Sequence, residues 1–193
     1  MSKITKNALS ASLKKLLLQK PFDKITVTDI TEDCGLNRMT FYYHFQDIYD
    51  LLEWTCQEDA RKYLKNKKTY DTWQEGYLNI FYGALENKEF ILNVYHSVRR
   101  EYIEQYLDRV VSDLLLGVVE ERAANMTVRE KDKLFIAKFY QFSFVGTMLK
   151  WIDTGMKEKP EYIVERTATL IHGSITRALE ASRTDRCPSN KAC

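Results

Sequence analysis

Helix-breaking residues are scarce in this sequence. Only seven of its 193 residues are glycine and three are proline, whereas glycine alone averages about 7% of the residues in proteins. All-β and loop-rich folds need frequent turns, and turns favour these two residue types. The scarcity therefore argues against such folds and predicts an all-α fold of long helices.

Long apolar runs are also missing. No segment approaches the roughly 18 apolar residues that a membrane-spanning helix needs. The apolar positions near the N-terminus are interrupted by Ser10, Ser12, Lys14 and Lys15, which is unlike the apolar core of a signal peptide. We therefore expect a cytoplasmic protein with no membrane partner.

Patterns typical of metal sites and catalytic sites are absent as well. The cysteines, Cys34, Cys56, Cys187 and Cys193, form no CxxC pair, and no histidine lies near them at zinc-binding spacing. There is no GxGxxG, no Walker-type lysine loop and no GxSxG elbow. We predict reduced thiols, no metal, no cofactor and no enzymatic activity. In an oxidising setting, Cys187 and Cys193 would close a small loop.

Charge is nearly balanced overall but unevenly distributed. Residues 1–46 contain seven Lys or Arg against four Asp or Glu, whereas residues 47–193 contain 22 against 23. The small basic excess therefore lies at the N-terminal end.

Apolar residues recur at helical spacing along the whole chain. Leu9, Leu13, Leu16 and Leu17 share one face of a helix that spans about residues 5–20. Similar stripes predict about nine helices and no sheet. Helices with approximate bounds are expected near residues 38–44, 47–64, 88–96, 129–154 and 160–181. Three further helices are expected: one between its cap at Thr26 or Thr28 and Gly35, one that Asp71 caps, and a long one whose apolar face runs from Ile103 to Val118.

The segment TVTDITEDCGLNRMTFYYHF, residues 26–45, contains two short helices with a glycine between them. The β-branched residues at its start also suit a strand, but Thr26 or Thr28 can cap a helix whose first turn contains Asp29. Gly35 then supplies the break. Two short helices joined by such a turn form a helix-turn-helix.

The second short helix carries side chains that suit the major groove of DNA. Arg38 can contact guanine O6 and N7, and the Thr40 methyl group can contact a thymine methyl. Tyr42 and His44 carry donors for phosphate oxygens, and the start of the first helix offers further donors to phosphate. The predicted DNA-contacting residues are Thr26, Thr28, Asn37, Arg38, Met39, Thr40, Tyr42, Tyr43 and His44.

This segment resembles the TetR family of bacterial transcriptional regulators. The resemblance is carried by Thr26–Ile30, Gly35–Leu36 and, above all, Thr40–Phe45, and it covers about residues 5–55. It implies a homodimer that binds a pseudo-palindromic operator in double-stranded DNA. One position departs from the family pattern, because Ile48 stands where members often have a lysine that contacts phosphate.

The resemblance also implies two domains and a tail. Residues 1–46 would form the helix-turn-helix DNA-binding domain, and residues 47–64 would start a connecting helix. Residues 65–181 would form a helical effector-binding and dimerisation domain, beginning with a polar joint at residues 65–68. Residues 182–193 would form a flexible tail.

Two sets of residues in the second half of the chain suggest a ligand pocket and a dimer interface. Aromatic side chains with polar tips suit a pocket for an amphipathic ligand, and the candidate lining residues are Tyr77, Phe81, Tyr106, Phe139 and Phe142. Small and apolar residues on the last two helices suggest, together with the resemblance, a two-fold four-helix dimer interface. Its candidate residues are Val145, Leu149, Thr167, Leu170, Ile171, Ser174 and Ala178.

Two modes of regulation remain open. A small-molecule effector bound in the C-terminal domain would favour a dimer whose recognition helices no longer fit one face of the duplex, releasing DNA as a repressor does. Residues 144–155 and 160–175 also resemble regulators of dihydroxyacetone-kinase operons. That resemblance implies an activator controlled by a kinase-like sensor protein.

Overall fold

The structure is a computed structural model that describes residues 2–63, 69 and 71–185. These residues form ten α-helices and one short 3-10 helix. In chain order they are α1 (Ser2–Leu17), the 3-10 helix (Phe22–Lys24), α2 (Val27–Asp33), α3 (Arg38–His44), α4 (Ile48–Tyr63), α5 (Trp73–Glu86), α6 (Lys88–Ser97), α7 (Arg100–Ala123), α8 (Glu130–Asp153), α9 (Pro160–Ile171) and α10 (Ser174–Ala181).

The predicted all-α fold is confirmed. Pairing of β type within the described ranges is limited to one isolated bridge between Val128 and Arg183. The last predicted helix is divided into α9 and α10 at Gly173, whose φ of 68° lies in the left-handed region. A helix cannot continue through that conformation, which glycine adopts readily because it has no Cβ.

Two predicted segments fall partly or wholly outside the described residues. The polar joint at residues 65–68 lies outside them, as do residues 186–193 of the predicted tail, including Cys187 and Cys193. Within the described part of that tail, the Thr184 amide donates to the carbonyl oxygen of Thr127 at 2.8 Å.

A small core holds α1, α2 and α3 together. Leu9, Leu13 and Leu17 of α1 are buried, as the leucine stripe predicts, and they share this core with Ile30 and Phe41. Ser12 of α1 is also buried, and its hydroxyl donates to the carbonyl oxygen of Ile30 at 3.0 Å. The orientation of α2 and α3 is therefore set by burial of one face of each helix against α1.

The C-terminal helices pack around a larger core. The long helices α7 and α8 pack along each other, α10 contacts both, and α5 contacts α9. An aromatic group in this core joins α5 to α8: the Tyr77 ring centroid lies 4.9 Å from that of Phe81 and 4.4 Å from that of Phe144. No helix in the described ranges is both long enough and apolar enough to cross a membrane.

Helices α4 and α6 connect the two regions. An ion pair joins Lys14 of α1 to Asp59 of α4. The Asn93 side chain of α6 donates to the carbonyl oxygens of Leu17 at 2.6 Å and Lys20 at 3.3 Å, where α1 ends. The position of α1, and with it the helix-turn-helix, is therefore tied to the C-terminal helices.

Candidate DNA interface and ligand cavity

Helix α2 begins with a complete capping box. The Asp29 amide donates to Thr26 Oγ1 at 3.1 Å, and the Thr26 amide donates to Asp29 Oδ2 at 2.7 Å. The Lys20 ammonium lies 2.9 Å from the same carboxylate. These hydrogen bonds, that of Lys20 above all, lower the pKa of Asp29 to about 2. The cap is therefore ionised at neutral pH.

The turn between α2 and α3 is fixed by local hydrogen bonds. Gly35 has a φ of 67°, and the Leu36 amide donates to the Thr31 carbonyl oxygen at 2.8 Å. Asn37 then caps α3, since its Oδ1 accepts from the Thr40 amide at 2.7 Å and from the Thr40 hydroxyl at 2.9 Å. These local contacts fix the backbone of the turn and the start of α3.

Helix α3 has one buried and one exposed face. Phe41 is fully buried, whereas Met39 is 77% exposed and Tyr43 is 83% exposed. In the described part of the chain, the Arg38 guanidinium and the hydroxyl groups of Tyr42 and Tyr43 make no hydrogen bond or ion pair. The exposed face thus presents a cation and two hydroxyl groups to another molecule.

The predicted DNA-contacting residues divide into three groups. Arg38, Met39, Tyr42 and Tyr43 are exposed on α3. Thr26, Asn37 and Thr40 take part in the two helix caps. Thr28 and His44 are half-buried.

Ile48, which stands where family members often have a lysine, is also half-buried and packs against the core. Cys34 is half-buried in the described structure and packs against the same core, as a small structural residue does.

A cavity of about 360 Å³ lies between α4, α6 and α7, with one wall contributed by Ile152 of α8. Its apolar lining residues include Leu52, Val94, Ile103 and Leu107, all of them buried. Its polar lining residues include Asp47, Tyr49, Asp50, Glu53, Tyr95, Tyr102 and Tyr106. The volume lies within the range of about 300–1,000 Å³ typical of small-molecule pockets.

Of the five predicted pocket residues, the structure places only Tyr106 in this cavity. Tyr77 and Phe81 lie in the C-terminal core, where the Tyr77 hydroxyl donates to the Phe144 carbonyl oxygen at 2.9 Å. Phe139 and Phe142 are 59% and 61% exposed on α8. The other four do not line this cavity, because helical spacing defines a face without showing which neighbour that face meets.

Sequence reasoning missed most of the cavity. Tyr49, Glu53 and Cys56 follow one another on α4 at spacings of four and three residues, which is a detectable one-face pattern. Tyr95 and Tyr102 come from α6 and α7, and no local pattern links them to α4.

The residues predicted for a dimer interface differ in burial. Val145 and Leu149 are buried within their own chain. Leu170 is 81% exposed. The remaining predicted interface residues are half-buried: Thr167, Ile171, Ser174 and Ala178.

The exposed apolar face of α8 consists of Phe135, Phe139, Phe142 and Gly146, and we call it the α8 stripe. Its members lie at positions i, i+4, i+7 and i+11 of one helix, so they form a continuous face.

The exposed, capped α3, which follows α2 after a glycine turn, has the geometry of a helix-turn-helix. Comparison with known proteins agrees. Residues 10–54 match the family described as bacterial regulatory proteins, tetR family, and residues 71–173 match the family described as transcriptional regulator C-terminal region. The chain therefore belongs to the TetR family. Its members are transcriptional regulators, which confirms the prediction that the chain is not an enzyme.

Two relatives are similar in sequence. The HTH-type dhaKLM operon transcriptional activator DhaS of Lactococcus lactis is 25% identical over 143 residues, covering 70% of this chain and 73% of the relative. The uncharacterized HTH-type transcriptional regulator YxbF of Bacillus subtilis is 23% identical over 167 residues, covering 82% of this chain and 42% of that relative.

Solved structures support the same fold. The dihydroxyacetone kinase operon activator DhaS superposes with a TM-score of 0.67 at 20% identity, covering 94% of this chain and 99% of that one. A TetR transcriptional regulator from Streptococcus agalactiae superposes with a TM-score of 0.60 at 22% identity, covering 88% and 94% of the two chains.

Proposed function

We propose that this protein is a homodimeric regulator that binds a pseudo-palindromic DNA operator through α3. The observation that carries the proposal is the exposed face of α3, on which Arg38 and Tyr42 present donors without partners in the described chain. Two copies would hold their α3 helices about 34–36 Å apart, one turn of B-form DNA.

The side chains of α3 and α2 suit different parts of the duplex. Arg38 would read guanine in the major groove, and Met39 and the Thr40 methyl group would make apolar contacts with bases. Tyr42, at the exposed side of α3, and Thr28, in the first turn of α2, would donate to phosphate oxygens. Base contacts of this kind specify sequence, whereas phosphate contacts orient the protein.

Dimerisation would use the α8 stripe together with Leu170 of α9. Three phenylalanines on one exposed helical face form an apolar patch of the kind that marks protein interfaces. Gly146 continues this face and, without a side chain, allows a second helix to approach closely. The stripe therefore replaces Val145 and Leu149 as the expected contact on α8.

A small-molecule effector would act through the cavity. The cavity lining begins at Gln46 and Asp47, two and three residues after the end of α3 at His44. A ligand that displaces α4 would therefore displace α3 and change the spacing of the two recognition helices. Such a ligand shifts the equilibrium only by its difference in affinity for the two arrangements.

A second candidate is activation under the control of a protein partner. The similarity to DhaS, which is an operon activator, favours this sign of regulation. An open groove between α5 and α9 supplies a surface with both apolar and acidic residues. Its lining includes Leu78, Glu161, Val164, Glu165 and Ala168.

The DNA-binding proposal is tested by gel-shift titration with genomic fragments. Arg38→Ala should weaken binding to the operator by about 10- to 100-fold, because a bidentate contact with guanine contributes about 1–3 kcal/mol. Arg166→Ala is the matched control, since Arg166 is an exposed arginine of α9 paired with Glu158. Arg38→Ala and Tyr42→Ala variants that bind every fragment as tightly as the parent would show that α3 is not the recognition helix.

The second candidate is tested by capture of partners from the native host with the full chain as bait. Transcription from the bound promoter is then measured with and without the captured protein. A rise that depends on that protein supports activation by a partner, and an unchanged rate contradicts it.

A further inference from the structure

We infer that the cavity between α4, α6 and α7 binds an amphipathic cation, with an apolar body and one amine or quaternary ammonium group. The inference rests on the proposed function, in which this cavity takes the effector, and it adds the chemical class of the ligand. Three features carry it: an apolar interior, an acidic side and a set of tyrosine rings.

The interior suits an apolar body of limited size. Leu52, Val94, Ile103, Leu107 and Ile152 are buried and contribute apolar surface to the cavity. Burial of apolar ligand surface against them is favourable, at roughly 25 cal/mol for each Å² removed from water. The volume of about 360 Å³ lies near the lower end of the range for ligand pockets, which favours a compact ligand over a long chain.

The polar side of the cavity is acidic. Its charged lining residues are Asp47, Asp50 and Glu53, with no Lys, Arg or His among the lining residues in the described part of the chain. All three are exposed or half-buried, so they mark the side that faces solvent. A cationic group that follows an apolar body into the cavity would meet these carboxylates.

The two aspartates are held in place before any ligand binds. The Asp50 amide donates to Asp47 Oδ1 at 2.9 Å, and the Gln46 amide donates to Asp50 Oδ2 at 3.0 Å. The second oxygen of each carboxylate makes no hydrogen bond within the described residues, and neither aspartate has an ion-pair partner there. Because these charges are preorganised, a ligand need not order them.

Glu53 is the one carboxylate of the three with a basic partner in the described chain. Arg109 lies 2.5 Å from Glu53 Oε1, and Gln57 donates to the same oxygen at 2.8 Å. Arg109 itself does not line the cavity. Arg99, which contacts Tyr102, is a second guanidinium beside the cavity. Two guanidinium groups against three carboxylates leave the solvent-facing side with a net negative charge.

The tyrosine rings add a second attraction for a cation. Tyr49 and Tyr102 stack with their ring centroids 4.9 Å apart and an interplanar angle of 28°. The Arg99 guanidinium already lies 5.0 Å from the Tyr102 ring centroid and donates to the Tyr102 hydroxyl at 2.9 Å. The faces of tyrosine rings attract ammonium and guanidinium groups, as the contact of Arg99 with Tyr102 illustrates.

Other ligand classes fit the cavity less well. An anion would face three carboxylates with no basic lining residue to receive it. A metal ion is also disfavoured, because the described residues contain no group of three or more His, Cys, Asp or Glu side chains that could hold one. Covalent capture by Cys56 is disfavoured too, since burial raises the pKa of that thiol to about 12.

The inference is tested by calorimetric titration of the full-length protein with three compounds of one shape. They are 4-phenylbutyl-trimethylammonium, its neutral isostere with a tert-butyl group in place of trimethylammonium, and 4-phenylbutyl sulfonate. The cation should bind about tenfold or more tightly than the neutral isostere, as expected for a charge-assisted contact. The sulfonate should bind more weakly than either.

Substitutions of residues that line the cavity test whether the cation binds there. Glu53→Gln removes a carboxylate and releases Arg109, and it should weaken binding of the cation about tenfold. Tyr102→Leu should weaken it about two- to fivefold. Glu104→Gln on α7 is the matched control. It also removes one ion pair, that of Glu104 with Arg100 at 2.6 Å, but Glu104 does not line the cavity.

Three results would overturn the inference: a neutral isostere that binds as tightly as the cation, no binding by any of the three compounds, or equal losses in Glu53→Gln and Glu104→Gln. Operator binding by the unliganded protein is measured on the same preparations. If the cation does not bind more tightly than the neutral isostere but the operator is still bound, the inference alone is rejected. If the parent protein does not bind the operator, the proposed function is rejected.

Discussion

Helix α3 and the C-terminal helices use tyrosine in opposite ways. Tyr42 and Tyr43 are exposed, and their hydroxyl groups have no hydrogen-bond partner in the described chain. Tyr77 and Tyr106 instead donate to the carbonyl oxygens of Phe144 and Cys56, and burial raises the pKa of both hydroxyls. Buried hydroxyls need internal partners, whereas the hydroxyl groups of Tyr42 and Tyr43 are available to another molecule.

The two regions also differ in how their sites are assembled. The exposed surface of the helix-turn-helix depends on contacts between residues three to five apart, such as the Thr26–Asp29 cap and the Leu36–Thr31 hydrogen bond. The cavity draws its lining from α4, α6, α7 and α8. A local change should therefore alter the first surface alone, whereas the second depends on how several helices pack.

The largest expected effect comes from removing a core ring in each region. Phe41→Ala and Phe81→Ala should each lower the free energy of unfolding by about 3–5 kcal/mol, because both rings are fully buried. Since Lys14–Asp59 and the Asn93 hydrogen bonds join the regions, we expect one unfolding transition in calorimetry for both variants. A separate low-temperature transition in Phe41→Ala alone would show that the N-terminal region unfolds independently.

The next largest effect is expected from substituting either of two glycines that have similar backbone conformations. Gly35 and Gly173 have φ values of 67° and 68°, and an added Cβ would meet no atom within 4 Å at either. Alanine at either position should cost about 1–2 kcal/mol in unfolding free energy, from backbone strain alone. Gly35→Ala should also weaken operator binding because it strains the turn before α3. If Gly173→Ala weakened operator binding equally, the role assigned to the turn would be wrong.

A smaller effect separates capping from DNA contact. Thr26→Ala should lower the free energy of unfolding, measured in urea, by about 1 kcal/mol, because it removes the side chain that accepts a hydrogen bond from the Asp29 amide. Thr28→Ala should leave unfolding almost unchanged and weaken operator binding with an unchanged salt dependence, because a neutral hydroxyl that contacts phosphate releases no counterion. If instead Thr28→Ala destabilised the fold and Thr26→Ala weakened operator binding, Thr28 would be the cap and Thr26 the DNA contact.

The smallest effect is a dependence on pH. Because the pKa of Asp29 falls from 3.8 to about 2 on folding, chiefly through Lys20, its contribution to stability is complete above pH 3.8 and is lost as the pH falls through about 2. Asp29→Asn should therefore flatten the decline of the melting temperature across that window, and Lys20→Met should do so in part. An unchanged acid profile in Asp29→Asn would show that this carboxylate does not stabilise the fold.

Much of the N-terminal region was predictable from residue order. A threonine three residues before an aspartate, a glycine where a turn needs positive φ, and an asparagine before a short aromatic helix each indicate a local geometry that the structure contains. The C-terminal sites were not predictable in the same way. Apolar spacing correctly indicated the helices of that region, but it did not show that Phe139 and Phe142 are exposed or that Val145 and Leu149 are buried within the chain.

Sequence alone determined the all-α class, the helix-turn-helix and the caps that orient α3, because those features depend on interactions within a few residues. Only the tertiary structure decided which face of α8 is exposed, and which carboxylates and tyrosines share a cavity. A helix of given periodicity can be rotated to bury either of two mixed faces, and the choice is made by the shapes of the helices that pack against it.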